Sequence, residues 1–232
     1  MEIVSPSLSG WLEDRRRLPA DSKGAERSAL VLDRDGVINK QNYYYISSQE
    51  RFSYEEGSLE ALRTLYGLDL DLYVATNQSG IAKRVFSAAT VDALHDRIQQ
   101  DLASSAKHHA AQIELFTVCP HQALDDCNCR KPQTGLLKRI DSHRRAHQCH
   151  SGLQASPFIG DSFRDLLAAV RYSLLPVLVL TGNGRRTYQQ LAYDRHVQAR
   201  EIFSQLSVFS SLAHVARYFH LHLKPELAPS IA

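Results

Sequence analysis

Five short apolar runs, Ala29–Leu32, Leu70–Ala75, Ile113–Val118, Pro157–Ile159 and Pro176–Leu180, punctuate the chain and constrain its fold more than any other feature. Rich in Val, Leu and Ile and mostly without polar alternation, they read as strands covered on both faces. Helical patterns fill the gaps: Ser58–Leu65, Gly135–His143, Phe163–Arg171, and a segment with Ser87 as N-cap whose Val91, Leu94, Ile98 and Leu102 mark one face. Strands alternating with helices predict an α/β fold with a central parallel sheet and right-handed crossovers.

In an open parallel sheet, ligands bind beyond the carboxyl ends of the strands. Here the first run is followed by Asp33-Arg34-Asp35-Gly36, and the second by Thr76-Asn77-Gln78-Ser79-Gly80. A Cys/His cluster with Arg130-Lys131 follows the third, and Gly160-Asp161-Ser162 the fourth. All of these groups converge on one rim. Asp33 and Asp35, joined by Asp161 and Asp165, make an oxygen-rich nest suited to Mg²⁺. A carboxylate can attack phosphorus and become an aspartyl-phosphate. Thr76, Asn77 and nearby N–H groups can hold phosphate oxygens, and Lys131 offsets the crowding of anions. Any one Asp at a strand end reads better as a turn or cap residue; the argument rests on four such groups in order.

Cys119-Pro120-His121, five residues, then Cys127-Asn128-Cys129 offer three sulfurs and one imidazole in a compact loop. A Cys₃His set with no open position is a structural zinc arrangement. Clustered cysteines outside a secreted chain favour metal over disulfide, which places the protein in the cytoplasm. Cys149 reads as a free thiol. The N-terminus lacks a signal peptide and no stretch is long enough for a membrane span. A net charge of +2 over 232 residues argues against a nucleic-acid partner. The histidines, as in Lys107–His109 and His143–His150, read mostly as solvated surface.

Asp33-Arg34-Asp35-Gly36-Val37-Ile38-Asn39, Thr76, Lys131 and Gly160-Asp161-Ser162-Phe163-Arg164-Asp165 resemble, in order, the four signatures of the haloacid dehalogenase superfamily. The resemblance spans about Ser28 to Tyr218. It implies a Rossmann-like three-layer sandwich without a large cap domain, carrying a zinc-binding loop insertion. It also implies Asp33 as nucleophile and Asp35 as general acid/base, with a pKa that a neighbouring carboxylate raises toward neutrality. Mg²⁺ would be held by Asp33, the backbone carbonyl of Asp35 and Asp161, with Asp165 as outer support or additional ligand. Thr76 and Lys131 would fix the phosphoryl group, and Asn77, Gln78, Ser79 and Arg130 would bind substrate.

Two branches of the superfamily combine these signatures with a Cys/His loop ending as Cys129-Arg130-Lys131-Pro132 does. Thr76–Ala82, Ile38-Asn39 and the Tyr-rich segment up to Phe52 and Gly57 resemble the heptose bisphosphate 7-phosphatases. The five-residue gap resembles the histidinol-phosphate phosphatases. The expectation is a phosphatase acting on a heptose bisphosphate, with histidinol phosphate as the alternative substrate. A nucleic-acid 3′-phosphatase and a non-catalytic module are the remoter readings. A second phosphate would be gripped by Arg130, with Lys83, Arg84 and Arg185 as weaker candidates. The chain then divides into an N-terminal extension (1–27), a single phosphatase domain (28–220) and a C-terminal tail (221–232), expected as a monomer acting on a small phosphorylated metabolite.

Overall fold

The computed structural model describes residues 2–17, 27–41, 51–104, 110–147 and 152–224. Cys149, the histidine clusters at 108–109 and 150, and most of the loop between Lys40 and Tyr54 lie outside these residues. Six parallel strands form one sheet: β1 (Ser28–Leu32), β2 (Leu70–Asn77), β3 (Ile113–Cys119), β4 (Pro157–Gly160), β5 (Leu175–Val179) and β6 (Ser207–Phe209), in the order β3-β2-β1-β4-β5-β6. Val31 sits opposite Tyr73 on one side and Phe158 on the other. The apolar runs lack alternation because both faces are covered. Leu30 and Leu32 enter one core and Ala29 and Val31 the other.

The first core is roofed by α1 (Pro6–Arg16), α2 (Ser58–Gly67), α3 (Ala88–Ala103) and α8 (Leu212–Leu223). The opposite face carries α4 (Gly135–Ala146) and α5 (Phe163–Arg171), which continue into α6 (Gly184–Tyr193) and α7 (Val197–Gln205). Ser87 caps α3 as its sequence implies, its hydroxyl accepting from the Thr90 N–H at 3.1 Å. The expected stripe Val91, Leu94, Ile98, Leu102 is buried, and His95 is buried with it.

The N-terminal extension, which its sequence suggests lies outside the core and packs through Trp11, does use Trp11 but is anchored more deeply. Ile3 pairs antiparallel with Val208, the Ser5 and Ser207 hydroxyls lie 3.0 Å apart, and Leu8 and Leu12 are fully enclosed. Residues 3–5 thus cover the β6 edge, which would otherwise present unpaired backbone groups, and α1 packs against α8. With Trp11 packed 5.6 Å from Phe219, only three apolar side chains of α1 enter the core, too narrow a stripe to register as periodicity. The strand β6 is three residues long, and in α6 only Gly184, Thr187 and Leu191 are buried. Those two elements therefore left no apolar signature either. The helix α8 runs to Leu223, past the expected boundary at 220.

At the end of the sheet away from the carboxyl rim lies a buried ion network. Asp71, second residue of β2, receives Arg144 of α4 at 3.0 Å and Arg27 at 2.8 Å, while Arg144 also donates to the Arg27 carbonyl. Arg144 has no exposed surface. Removing one partner of a buried pair strands the other charge. Arg144→Met is therefore expected to lower stability by about 3 kcal/mol in urea unfolding. Adding Asp71→Leu should recover most of that loss.

Candidate active site

Strands β1 to β4 each deliver their chemistry at the same rim, for local reasons. Asp33 continues β1 by one residue, its N–H bonded to the Ile159 carbonyl of β4 at 2.9 Å. The chain then turns sharply: the Arg34 carbonyl accepts from the N–H groups of Val37, Ile38 and Asn39. Gly36 is required in that turn. Its φ is +85°, and a Cβ there would meet an Asp161 carboxylate oxygen at 2.2 Å. Gly182, at φ +53°, crowds the same oxygen from the β5–α6 loop.

Asp161, after β4, is thus enclosed by two glycines and fixed by hydrogen bonds. The Asn183 N–H donates to its Oδ2 at 2.7 Å, and Thr187 donates to its carbonyl at 2.8 Å. Thr181 ties this loop back to the Gly36 carbonyl at 2.7 Å. These β5–α6 residues carry no chemical signature of their own, and sequence reasoning missed them. Asp165 is the third residue of α5 and closes its capping box, taking the Ser162 N–H at 3.0 Å and the Ser162 hydroxyl at 2.6 Å on one oxygen.

Lys131 joins these acids. Its ammonium, 2% exposed, lies 2.9 Å from Asp33 Oδ1 and 2.6 Å from Asp165 Oδ1, and donates to the Ala75 carbonyl at 2.6 Å. Burial opposes its charge, but the two carboxylates raise its pKa above the ordinary lysine value. Asn77 holds the backbone on which Lys131 sits, accepting from its N–H at 3.0 Å and donating to its carbonyl at 3.1 Å. Gln78 donates to Thr76 Oγ1 at 2.9 Å and to Asp35 Oδ2 at 2.7 Å. The side-chain amides of Asn77 and Gln78, expected to reach substrate, are occupied in holding Lys131 and Asp35.

Asp35 also differs from expectation. Both of its oxygens accept from Nη2 of Arg34, at 2.9 and 3.0 Å, and one accepts from the Asn39 amide at 2.8 Å. Burial pushes its pKa up, yet Arg34 and the amide donors outweigh burial and hold it below the ordinary value. The raised values fall elsewhere. Burial, and then repulsion from Asp165, lift Asp33 to about 7 against the pull of Lys131. Burial, Asp165 and Asp33 lift Asp161 to about 8. One ammonium serves three carboxylates whose oxygens lie within 4.8 Å of one another. That surplus of negative charge is what a divalent cation neutralises, and the donor set is all oxygen, as Mg²⁺ requires.

The Cys/His loop gathers as its spacing implies. Cys119, Cys127 and Cys129 have sulfur separations of 3.3, 3.5 and 3.7 Å, and His121 Nδ1 lies 3.2 Å from Cys129 Sγ. These distances are far beyond a disulfide bond. They approach the S···S edge, about 3.8 Å, of a tetrahedron with metal–sulfur bonds of about 2.3 Å. Burial raises the Cys127 thiol, but N–H groups of Arg130 and Cys129 donate to it and bring its pKa down to about 7. The cluster could hold a metal. Arg130 donates from Nη1 to the His121 carbonyl at 3.0 Å, so the loop carries this guanidinium with it.

The rim groups line a cavity of about 1020 Å³ that includes Asp33, Asp35, Thr76, Asn77, Gln78, Ser79, Lys131, Asp161 and Asp165. Arg130 and Lys83 line it too, with Lys40, Arg164 and Arg186. Arg84 and Arg185 are exposed outside it.

Comparison with known proteins agrees with this geometry. Residues 29–173 match the family model described as polynucleotide kinase 3 phosphatase. The D-glycero-beta-D-manno-heptose-1,7-bisphosphate 7-phosphatase of Bordetella bronchiseptica is 38% identical over 161 residues, 69% of this chain and 85% of that relative. The enzyme of the same name from Neisseria meningitidis is 33% identical over 183 residues, 78% and 91% of the two chains. A crystal structure of the B. bronchiseptica D,D-heptose 1,7-bisphosphate phosphatase, complexed with magnesium and phosphate, superposes with a TM-score of 0.70 at 34% identity, covering 82% of this chain and 97% of that one. With its parallel sheet, its acidic rim and these relatives, the chain belongs to the polynucleotide kinase 3 phosphatase family and is a phosphoric monoester hydrolase of the haloacid dehalogenase type.

Proposed function

We propose that this chain is a Mg²⁺-dependent phosphatase that removes the 7-phosphate of D-glycero-D-manno-heptose 1,7-bisphosphate. The observation that carries the reading is the meeting of Asp33 after β1, Lys131 after β3, and Asp161 and Asp165 after β4 at one rim of the sheet. The magnesium and phosphate in the B. bronchiseptica neighbour, and the names of the relatives, support the cofactor and substrate. They do not favour histidinol phosphate. The proposal extends to a monomer in the cytoplasm, acting on a small phosphorylated metabolite without nucleic acid or membrane; no described helix is long and apolar enough to cross a bilayer.

In this reading Asp33, the Asp35 backbone carbonyl and Asp161 hold Mg²⁺, which when bound offsets the charge of the carboxylates and of the phosphoryl oxygens. Asp165 stands outside the ligand set, because one oxygen faces Lys131 and the other caps α5. Asp33 attacks phosphorus as the bond to the sugar oxygen breaks, and the leaving alkoxide takes a proton from Asp35. Asp35 then removes a proton from water, which attacks the phosphorylated Asp33 and releases inorganic phosphate. The proton that Asp35 takes from the water restores the acid form that the leaving alkoxide needs in the next turnover, so the two half-reactions balance. Thr76 and Lys131 orient the phosphoryl oxygens, with Asn77 and Gln78 holding Lys131 and Asp35 in place. Ser79 and Arg130 meet the rest of the substrate, Arg130 being the first candidate for the second phosphate.

The Cys119, His121, Cys127 and Cys129 set takes structural zinc in this proposal, since four protein ligands leave no open position. It does no chemistry and holds the loop that bears Arg130 and Lys131.

Asp33→Asn is expected to lower kcat about 10⁴-fold or more, the scale on which losing a nucleophile acts. Specificity constants measured with Mg²⁺ for heptose 1,7-bisphosphate, histidinol phosphate and a 3′-phosphorylated oligonucleotide should rank the first highest. A preference for either of the others overturns the substrate assignment. Mg²⁺ affinity should rise from pH 6 to pH 8, because cation binding needs Asp33 and Asp161 ionised and their pKa values are about 7 and 8. Titration calorimetry in buffers of different ionisation enthalpy should detect proton release on binding; pH-independent affinity contradicts this charge assignment. Elemental analysis should find about one zinc per chain. Its removal by a strong chelator should lower the melting temperature and abolish activity that Mg²⁺ alone does not restore.

A further inference from the structure

Behind Asp35 lies a group for which the proposed reaction has no use. The Arg34 side chain is 1% exposed, among the most deeply buried charges in the described structure. Its Nη2 spans both Asp35 oxygens, and its Nη1 lies 3.5 Å from Nε2 of His95. Arginine can only donate, so the imidazole accepts with its other nitrogen protonated. Burial and the neighbouring guanidinium keep His95 neutral. Its ring stacks on Phe116 of β3, with centroids 4.1 Å apart and planes 12° from parallel. A buried arginine is expensive unless its fork is paired, and rigid pairing of this kind is how a reacting side chain is preorganised.

We propose that Arg34, braced by His95 on its Phe116 platform, is a positioning residue that aims the Asp35 carboxylate into the cavity. Asn39 and Gln78 contribute a donor each to the same carboxylate. Arg34 alone grips both oxygens, and its side chain is held in turn by His95 of α3. The brace reaches Asp35 through one side chain and leaves Asp33, Lys131 and Asp161 untouched. The inference rests on the proposed acid/base role of Asp35.

The test uses leaving groups. The ratio kcat/KM reports only steps up to departure of the leaving group. A sugar alkoxide needs a proton in that step, whereas p-nitrophenolate leaves as a stable anion. For Arg34→Met, kcat/KM for heptose bisphosphate should fall about 10–100-fold, the range in which acid–base groups act. The value for p-nitrophenyl phosphate should change less than threefold, roughly the level of experimental context effects. Arg34→Lys should restore part of the loss, and His95→Phe, which keeps the stack and removes the acceptor, should show the same selectivity more weakly. Parallel loss on both substrates, or no loss on either, overturns the proposal. Absence of turnover by the unaltered protein on any phosphate ester would instead bring down the phosphatase mechanism beneath it.

Discussion

A single ammonium holds the centre of this molecule together. Lys131 comes from the loop after β3, Asp33 from the tip of β1 and Asp165 from the first turn of α5, and their contacts of 2.9 and 2.6 Å draw three segments onto one point. Out of water, such a charge is tolerated only because the Ala75 carbonyl and two carboxylates surround it. The acids are in excess even so, and Asp33 and Asp161 answer by holding protons near neutral pH. The site is therefore electrostatically incomplete as a protein, and its surplus of negative charge suits a cation.

Around that centre the fold invests in positioning. Asn77, Gln78, Asn183 and Thr187 direct their side chains to Lys131, Asp35 and Asp161. Gly36 and Gly182 let two loops close on Asp161 where a Cβ could not fit. Preorganised groups of this sort lower the reorganisation needed when charge develops in a transition state. The Cys/His loop extends the same logic outward, since Arg130 is tethered to the His121 carbonyl and moves with that loop.

Much of this was legible in the residues. The apolar runs marked five of the six strands because burial on both faces removes polar alternation, as at Ala29–Leu32. The order of polar groups after those runs located the rim, because a parallel sheet delivers its carboxyl ends to one side. The last strand and the helices α6 to α8 were not legible. A three-residue strand and a helix burying three side chains depend on neighbours rather than on their own pattern. The same holds for α1, whose Leu8 and Leu12 reveal their role only against Phe209 and Phe219.

By itself the sequence determined the alternation of strands and helices, the identity of the acids, lysine and threonine at the rim, and a Cys₃His loop whose spacing alone forces its ligands together. These are local facts, set by adjacency along the chain. Only the tertiary structure decided how charge is shared. Arg34, one residue from Asp33, turned out to serve Asp35, while Asp165 of α5, more than a hundred residues away, raises the proton affinity of Asp33. Electrostatic coupling depends on distance through space and on burial, and neither can be read from separation in sequence.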